Sequence, residues 1–273
     1  MTTVRGRTRN DDRGVTTPIS DGSARVLVVG ESWIKHTVHL KGFDHFHTTE
    51  YEEGGTAFLD SLAAAGFEVD YIRAHEVSER FPKDREALSS YDAVVLSDIG
   101  ANSFLLTDDT FVRSELSTNR LGELSAYVKD GGGLVMIGGY LSFSGIEGRA
   151  RYGNSPLADV LPVEMLDHDD RVERPEGVSP TVAIPDHEAI GGVSSTWPAL
   201  LGYNRFAGKA GATVIARADE DPLLVVSESG RGRVVAFASD CAPHWAPPQF
   251  VDWPDYGNLW SSIILWAAGG DRS

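Results

Sequence analysis

The sequence predicts an α/β fold built around a doubly wound, mostly parallel β-sheet. Apolar runs of strand composition alternate with segments of helical periodicity through the first half of the chain, which is typical of βαβ units with right-handed crossovers. Several of these runs are apolar at nearly every position, as expected for parallel strands that are covered on both faces. The chain has 273 residues, which is enough to enclose one large hydrophobic core.

The elements of the first half follow in order. Residues 25–30 (RVLVVG) form a continuous apolar run and predict a buried strand. Residues 56–65 have apolar side chains at helical spacing, and Gly66 is a suitable helix end. Residues 67–72 alternate as in a strand nearer the sheet edge, whereas residues 91–97 (YDAVVLS) predict another buried strand.

The second half supplies two helices and four more strands. Residues 119–130 predict a helix that ends at three consecutive glycines, and residues 258–268 predict a strongly apolar helix. The remaining strands are predicted from β-branched and apolar composition at 134–137, 213–216, 223–227 and 234–238. The polar, glycine-containing linker 228–233 predicts the turn of a C-terminal β-hairpin.

We expect one domain over residues 25–273, preceded by a tail. Residues 1–24 contain no apolar run longer than two residues and predict a disordered tail. Residues 146–211 are rich in Pro, Gly and charge without a long periodic helix, which indicates an irregular insertion. No stretch has the length and apolarity of a signal peptide or a membrane span.

Composition limits the partners. The 24 Lys and Arg residues against 40 Asp and Glu give a net charge of −16, which disfavours nucleic acid and anionic membranes. Cys241 is the single cysteine, so an intrachain disulfide is excluded and a cytoplasmic location is expected. We therefore expect a small-molecule ligand, no cofactor and no metal, with a homo-oligomer as a further expectation.

Polar and aromatic residues follow four of the predicted parallel strands. Ligands of open parallel sheets bind at the carboxyl ends of the strands, so we expect these residues to share one crevice. The candidate ligand-binding residues are Glu31, Trp33, Asp98, Gly100, Gly139, Ser142 and Trp245. The candidate catalytic residues are Tyr140, Asp240 and His244.

These strand-end segments carry a resemblance to a known family. Glu31-Ser32-Trp33, 97–100 (SDIG), 136–140 (MIGGY) and 239–245 (SDCAPHW) resemble the class I glutamine amidotransferase-like superfamily, in its branch described as "putative glutamine amidotransferase". The likeness runs from about residue 25 to residue 269. It implies a flavodoxin-like doubly wound sheet, but it does not fix an activity, because this superfamily hosts several chemistries.

The resemblance also indicates what is missing. Active amidotransferases carry a cysteine within a G-x-C-x-G turn after a strand, and Tyr140 stands at that position in 138–142 (GGYLS). A phenol with a pKa near 10 is a poor substitute for a thiolate, and the family's late histidine-x-glutamate pair is not reproduced. Gly100 matches the loop that helps to form the oxyanion site. We therefore expect binding of a small polar metabolite without glutaminase activity.

Two alternatives stay open. In the first, Asp240 orients His244 and, with Tyr140, performs acid-base chemistry on a carbohydrate or amide as a hydrolase or lyase, with Glu31 as a further partner. In the second and weaker one, Cys241 is a nucleophile with His244 as its base. The competing interpretation of Cys241 is a buried, unreactive side chain at a strand end.

A histidine-rich segment lies between residues 35 and 50. It contains four of the eight histidines, His36, His39, His45 and His47. Imidazoles suit zinc, but their spacing matches no known zinc pattern, so we favour a polar loop that faces the substrate.

Two further segments were interpreted from composition alone. An aromatic cluster at 245–260, with Trp245 and Trp260 at its ends, predicts a surface for stacking on a sugar or another planar ligand, or else an oligomer contact or a packed corner. The acidic stretch 167–170 (DHDD) is interpreted as a solvated loop.

Overall fold

The computed structural model describes residues 8–10, 16–18 and 24–269. The strands are β1 (Thr8–Asn10), β2 (Thr16–Pro18), β3 (Arg25–Gly30), β4 (Ser32–Lys41), β5 (Asp44–Glu53), β6 (Glu68–Ile72), β7 (Ala93–Ser97), β8 (Gly133–Ile137), β9 (Val163–Met165), β10 (Arg171–Val178), β11 (Thr181–Val182), β12 (Leu200–Asn204), β13 (Phe206–Gly208), β14 (Thr213–Ala218), β15 (Asp221–Ser229) and β16 (Gly232–Phe237). The α-helices are α1 (Thr56–Ala64), α2 (Val77–Arg80), α3 (Arg85–Leu88), α4 (Asn102–Leu105), α5 (Asp108–Phe111), α6 (Arg120–Lys129), α7 (Pro248–Val251) and α8 (Tyr256–Ala268). Short 3₁₀ helices lie at Ala74–Glu76, Ile146–Gly148, Tyr152–Asn154, Pro156–Asp159 and Glu188–Ile190.

A large mixed sheet forms the centre of the protein. Its eight strands lie in the order β11-β14-β15-β16-β8-β7-β3-β6. The five strands from β16 to β6 are parallel to one another, and β11, β14 and β15 extend the sheet with antiparallel pairs. The predicted α/β fold with a mostly parallel sheet is therefore confirmed, and each predicted strand and helix of the sheet lies within two residues of its expected bounds.

The core explains the apolar runs. Every residue of β7 and β8 is buried, and β3 is buried from its second residue onward. Helix α8 packs across β7, β8 and β16 and against α1, which buries Trp260 and Ile263. Asn119 precedes helix α6 and caps it, because its side chain accepts the Gly122 N–H. Within the described residues, no helix has the length and apolarity needed to cross a bilayer.

Residues 146–211 contain short elements connected by turns. Strand β10 pairs with β12, β9 pairs with β13, and β11 joins the edge of the main sheet beside β14. Strands β15 and β16 pair antiparallel up to Ser229 opposite Gly232.

The predicted tail, residues 1–24, lies largely outside the described residues. Within it, β1 and β2 pair with each other as antiparallel strands. Ala24, the last residue of that segment, is buried.

The histidine-rich segment forms a β-ribbon, so the prediction of a loop was wrong. Strands β4 and β5 pair antiparallel over ten residue pairs, from Ser32 opposite Glu53 to Lys41 opposite Asp44. Gly42 has a φ of 65° in the turn between them, a conformation that glycine adopts without strain. Most residues of the ribbon are exposed on both faces, so burial imposes no alternation of apolar and polar residues along its strands. For this reason the local sequence carries no clear strand pattern.

Candidate functional site

Three carboxyl groups meet at the carboxyl edge of the parallel strands. Glu31 follows β3, Asp98 follows β7, and Asp240 comes shortly after β16. Glu31 and Asp240 are almost completely buried, at 1% and 2% exposure, and Asp98 is half-buried. Glu31 and Asp98 have φ values of 47° and 42°, in the left-handed region that L-residues rarely adopt. Such strain costs about 1–3 kcal/mol per residue and concentrates at functional sites.

The fold holds Glu31 in this conformation from several sides. Its N–H donates to the Ser97 carbonyl at 3.1 Å, and its own carbonyl accepts the Gly54 N–H at 2.9 Å. The Tyr71 hydroxyl donates to the carbonyls of Gly30 and Glu31. Gly30 has a φ of 112°, and a Cβ there would lie 1.8 Å from the Ser97 carbonyl oxygen, so only glycine fits.

The Glu31 carboxyl is neutral near pH 7. Burial and the nearby Asp98 carboxylate raise the pKa of Glu31 to about 8, although the Ser97 hydroxyl donates to its Oε1 at 2.5 Å. Burial and the Glu31 charge also hold the pKa of Asp240 well above its usual range. Glu31 and Asp240 are hydrogen-bonded to each other, which a carboxyl pair achieves by sharing a proton.

Cys241 lies beside this pair. Its Sγ is 3.6 Å from the Ser97 Oγ, and burial raises the pKa of the thiol well above its usual range. The side chain is therefore buried and protonated, in agreement with the unreactive interpretation. Ligand atoms of Glu31, Asp240 and Cys241 lie within 4.8 Å of one another, and among the described residues they form the one group of three or more such side chains that could hold a metal ion.

Three rings form the outer part of the site. The exposed His244 ring is nearly parallel to Tyr140, with centroids 5.4 Å apart and planes within 16°, and its centroid is also 5.4 Å from Trp33. The Arg171 guanidinium lies over the Tyr140 ring, 4.9 Å from its centroid. Burial and the Glu173 carboxylate raise the pKa of Tyr140. Tyr140 and His244 are thus brought together as the sequence analysis expected.

The expected pairing of Asp240 with His244 is wrong. The Asp240 Oδ1 accepts the Ala242 N–H at 2.9 Å and the carboxyl interacts with Glu31, whereas the His244 ring is exposed and contacts Trp33 and Tyr140. Asp240 is buried and His244 is exposed, and no hydrogen bond between their side chains is present within the part of the chain that the structure describes.

A cleft of about 680 Å³ opens beside the rings. Its lining residues are Trp33, Glu52, Glu53, Gly54, Thr56, Ala57, Asp60, Pro243, His244 and Val251. The Trp33 indole N–H donates to the Glu52 Oε2 at 3.0 Å, which fixes the ring at the cleft wall. A Cβ at Gly54 would lie 3.0 Å from the Glu31 Oε2, so the buried carboxyl lies directly behind this part of the cleft.

The loop after β8 is held by two buried residues that sequence reasoning missed. The Asn204 side chain accepts the Gly139 N–H at 3.0 Å and donates to the Gly139 carbonyl and to the Asp170 Oδ1. Asp170 in turn accepts the N–H groups of Ser144 and Gly145, both at 2.9 Å. Asp170 is 1% exposed, so the interpretation of 167–170 as wholly solvated was wrong. Nothing in the local sequence distinguishes Asp170 from its exposed neighbours.

Gly139 itself packs against the site. It has a φ of 144°, and a Cβ there would lie 2.8 Å from the Asp98 Oδ1. The same Asp98 oxygen accepts the Leu141 N–H at 2.7 Å. Tyr140 is not among the residues with positive φ, unlike the strained nucleophile of an elbow turn.

Three predicted ligand-binding residues are buried away from the cleft. Gly100 packs against the Ala150 backbone. The Ser142 hydroxyl donates to the Ile137 carbonyl at 2.6 Å and accepts the Asp98 N–H, so its hydrogen-bonding capacity is used inside the loop.

Trp245 is the third of these residues, and it is 1% exposed. Its indole N–H donates to the Glu173 Oε2 at 3.0 Å. Phe250, Tyr256 and Trp260 are buried and pack edge to face, so most of the aromatic cluster forms a packed corner of the core.

These observations define an α/β protein with a cluster of carboxyl groups at the carboxyl ends of its parallel strands. Residues 25–268 match the family described as "Putative glutamine amidotransferase", and the chain belongs to this family. The predicted relation to the class I glutamine amidotransferase-like superfamily is confirmed. No curated protein matches the chain.

Solved structures support the same relationship. "Cytoplasmic Protein STM3548" from Salmonella typhimurium is 47% identical with a TM-score of 0.86, over 89% of this chain and 98% of that chain. "Cytoplasmic Protein STM1381" from Salmonella typhimurium LT2 is also 47% identical with a TM-score of 0.86, over 89% and 99%. A "Putative thua-like protein" from Parabacteroides merdae ATCC 43184 is 14% identical with a TM-score of 0.53, over 91% of each chain, and shares the fold alone.

Proposed function

We propose that the protein binds a small, neutral, hydroxyl-rich metabolite in the cleft beside Trp33 and His244, and that it does not hydrolyse glutamine. The composition of the cleft wall carries this proposal. The wall offers an indole face together with the carboxylates of Glu52, Glu53 and Asp60. Lys35 and Arg73 lie outside the lining and pair with Glu52 and Glu53, so these two carboxylates keep their acceptor oxygens but are partly neutralised. Aromatic faces stack on sugar rings and carboxylates accept hydroxyl hydrogen bonds, whereas a lining without Lys or Arg offers no counter-ion to an anionic ligand.

The strand order supports a binding crevice at this place. The parallel strands β6-β3-β7-β8-β16 follow the order 2-1-3-4-5, which is that of flavodoxin-like sheets. In such sheets the ligand lies where the order reverses, between the first and third strands. Glu31 and Asp98 follow those two strands, and Glu31 lies behind the cleft wall at Gly54.

The absence of glutaminase activity follows from the available nucleophiles. Tyr140 occupies the position of the family cysteine, and burial raises the pKa of its phenol, which disfavours the phenolate. Cys241, the single cysteine, is buried with a raised thiol pKa. Neither group can readily supply the anion that attacks an amide.

Ligand-induced stabilisation tests the binding proposal. The purified chain is screened by thermal unfolding against neutral monosaccharides and polyols, with sugar phosphates and carboxylic acids as matched anions. We expect a rise in Tm with a neutral compound, loss of that rise in Trp33→Ala, and retention of it in Phe111→Ala, which removes an exposed ring elsewhere. Stabilisation by the anions alone, or an unchanged response in Trp33→Ala, contradicts the proposal.

A glutaminase assay tests the second half of the proposal. We expect no release of ammonia from glutamine above the rate measured without protein. Ammonia release that disappears in Tyr140→Phe or Cys241→Ala would overturn this part, whatever the result of the binding screen.

Acid-base catalysis on a carbohydrate or amide is a second candidate, favoured by the neutral carboxyl of Glu31. A buried carboxylic acid with a pKa of about 8 can donate a proton at neutral pH, and Tyr140 and His244 lie together at the rim. The stabilising ligand is then consumed, as followed by NMR. Turnover that is lost in Glu31→Gln and His244→Ala but persists in Cys241→Ala identifies this mechanism, and loss in Cys241→Ala instead identifies the thiol-dependent alternative.

We also propose a cytoplasmic location, which the names of the two similar Salmonella proteins support. Fractionation of cells that express the full chain tests it. Self-association is a further proposal, supported by the exposed apolar side chains Leu40 and Phe43 of the ribbon, and light scattering measures it.

A further inference from the structure

The ribbon formed by β4 and β5 has two chemically different faces. Side chains alternate along each strand, so the register places one set of eight residues on the first face: Ile34, His36, Val38, Leu40, His45, His47, Thr49 and Tyr51. At the base of the ribbon this histidine face also carries Ser32 and Glu53, and the Glu53 carboxylate is paired with Arg73. The opposite face carries the charged residues Lys35, Lys41, Asp44, Glu50 and Glu52, together with His39.

Two imidazoles on the histidine face point their nitrogens at each other. The Nε2 of His36 lies 3.1 Å from the Nδ1 of His47. The ring centroids are 5.0 Å apart and the planes differ by 20°. Since the centroid separation exceeds the nitrogen separation by about 2 Å, the two nitrogens lie between the rings and face one another.

The outer nitrogen of His36 is held by a neighbouring hydroxyl. Its Nδ1 lies 3.1 Å from the Oγ1 of Thr49, the residue directly opposite it in the ribbon. When Nδ1–H donates to that oxygen, the proton of His36 is fixed on Nδ1, and the Nε2 lone pair accepts the Nδ1–H of His47. An ion between the two nitrogens takes the place of this proton, and His47 then carries its proton on Nε2. A hydrogen bond to the far nitrogen is the usual means of orienting a metal-bound histidine.

We propose that His36 Nε2 and His47 Nδ1 together bind one divalent transition-metal ion of the zinc type, with water in the remaining positions. Two nitrogens at tetrahedral angles and 2.0–2.1 Å from an ion are about 3.3 Å apart, so the pair needs to open by a few tenths of an ångström and each ring needs to turn its nitrogen towards the ion. Neutral imidazoles are ligands for zinc, copper and nickel, whereas magnesium and calcium prefer oxygen.

The surroundings favour a cation of this class. Val38 lies directly opposite His47 on the same face, so no charged side chain stands across the ribbon from that ligand. The protein as a whole carries a net charge of −16, which attracts cations to its surface. The His45 ring is edge-on to His47, with centroids 5.5 Å apart, and limits the rotation of that ring.

Zinc titration of the full, metal-stripped chain tests the site. Isothermal titration calorimetry with Zn²⁺ is expected to give a binding event that His36→Ala and His47→Ala each weaken by at least tenfold. Thr49→Val keeps the side-chain shape but removes the hydroxyl, and we expect about tenfold weaker binding from it. The matched control is His39→Ala, since His39 lies on the opposite face of the same ribbon and its ring stacks on Phe46.

Cobalt provides a readout that is independent of affinity. Co²⁺ bound at the ribbon has nitrogen and oxygen ligands, so its spectrum lacks a thiolate charge-transfer band. A thiolate band places the ion at Cys241 and overturns the proposal, as does zinc binding that is unchanged in both His36→Ala and His47→Ala. Loss of binding in His39→Ala to the same extent as in the two proposed ligands also refutes it. Circular dichroism verifies that each variant is folded.

Discussion

Replacing Glu31 by glutamine is expected to make the protein more stable at alkaline pH. In the native protein, burial and the Asp98 charge raise the pKa of Glu31 from an ordinary 4.5 to about 8. Between these two pH values the native state keeps a proton that the unfolded chain has already released. The free energy of unfolding of the wild type therefore falls as pH rises through this window. Below pH 4.5 the carboxyl is protonated in both states, so Glu31 does not lower the free energy of unfolding there.

The size of the effect follows from the difference in proton affinity. Each factor of ten is worth about 1.4 kcal/mol, so the full difference is about 5 kcal/mol at pH values above 8. This is an upper value, because Asp240 takes part of the titration through the shared proton. Glutamine has nearly the same shape, can accept the Ser97 hydroxyl and can donate to Asp240, yet it cannot ionise.

Urea unfolding at pH 5, 7 and 9 measures this prediction. The wild type is expected to lose stability from pH 5 to pH 9, and Glu31→Gln is expected to gain on it by a few kcal/mol at pH 9 with little difference at pH 5. Glu220→Gln is the control, because it changes the same charge at an exposed position. If the two variants have the same pH dependence, or if Glu31→Gln is equally destabilised at every pH, the pKa of Glu31 is not raised in the native state.

Three other perturbations test the frame around the site. Asn204→Ala removes the buried amide that joins Gly139 to Asp170, and we expect a loss of about 2–4 kcal/mol in urea unfolding, since buried partners are left unpaired; a loss below 1 kcal/mol would contradict this role. Gly54→Ala puts a Cβ 2.9 Å from the Trp33 ring and 3.0 Å from the Glu31 Oε2, so a cleft ligand is expected to bind the folded variant at least tenfold more weakly. Unchanged affinity would show that the ligand binds elsewhere. The Cys241 thiol is expected to react with a thiol reagent at pH 7 only after unfolding, because burial raises its pKa, and fast labelling of the native protein would refute this.

Much of the sheet could be predicted because its signals are local. The apolar runs that became β3, β7 and β8 are continuous in the sequence, as required of strands buried on both faces. The general rule that parallel strands present their carboxyl ends at one edge also located Glu31, Asp98 and Asp240 near one another. By contrast, the β4–β5 ribbon has little burial to impose a period, so its pairing left no clear pattern.

The arrangement of side chains within the site could not be predicted in the same way. The positive φ of Glu31, together with burial of Ser97 and Cys241, turns the Glu31 carboxyl towards Asp240 instead of leaving Asp240 to pair with His244. The loop after β8 is positioned by Asn204, which is 65 residues away from Gly139 in the chain.

The sequence by itself determined the class of fold and the edge at which the polar residues gather. Only the tertiary structure decided which carboxyl groups share a proton, which predicted ligands are buried and where the cleft opens. The reason is that the spacing of apolar residues in a segment indicates only which face of that one helix or strand is buried. Protonation and cleft shape depend instead on distances between side chains from elements that are far apart in the chain.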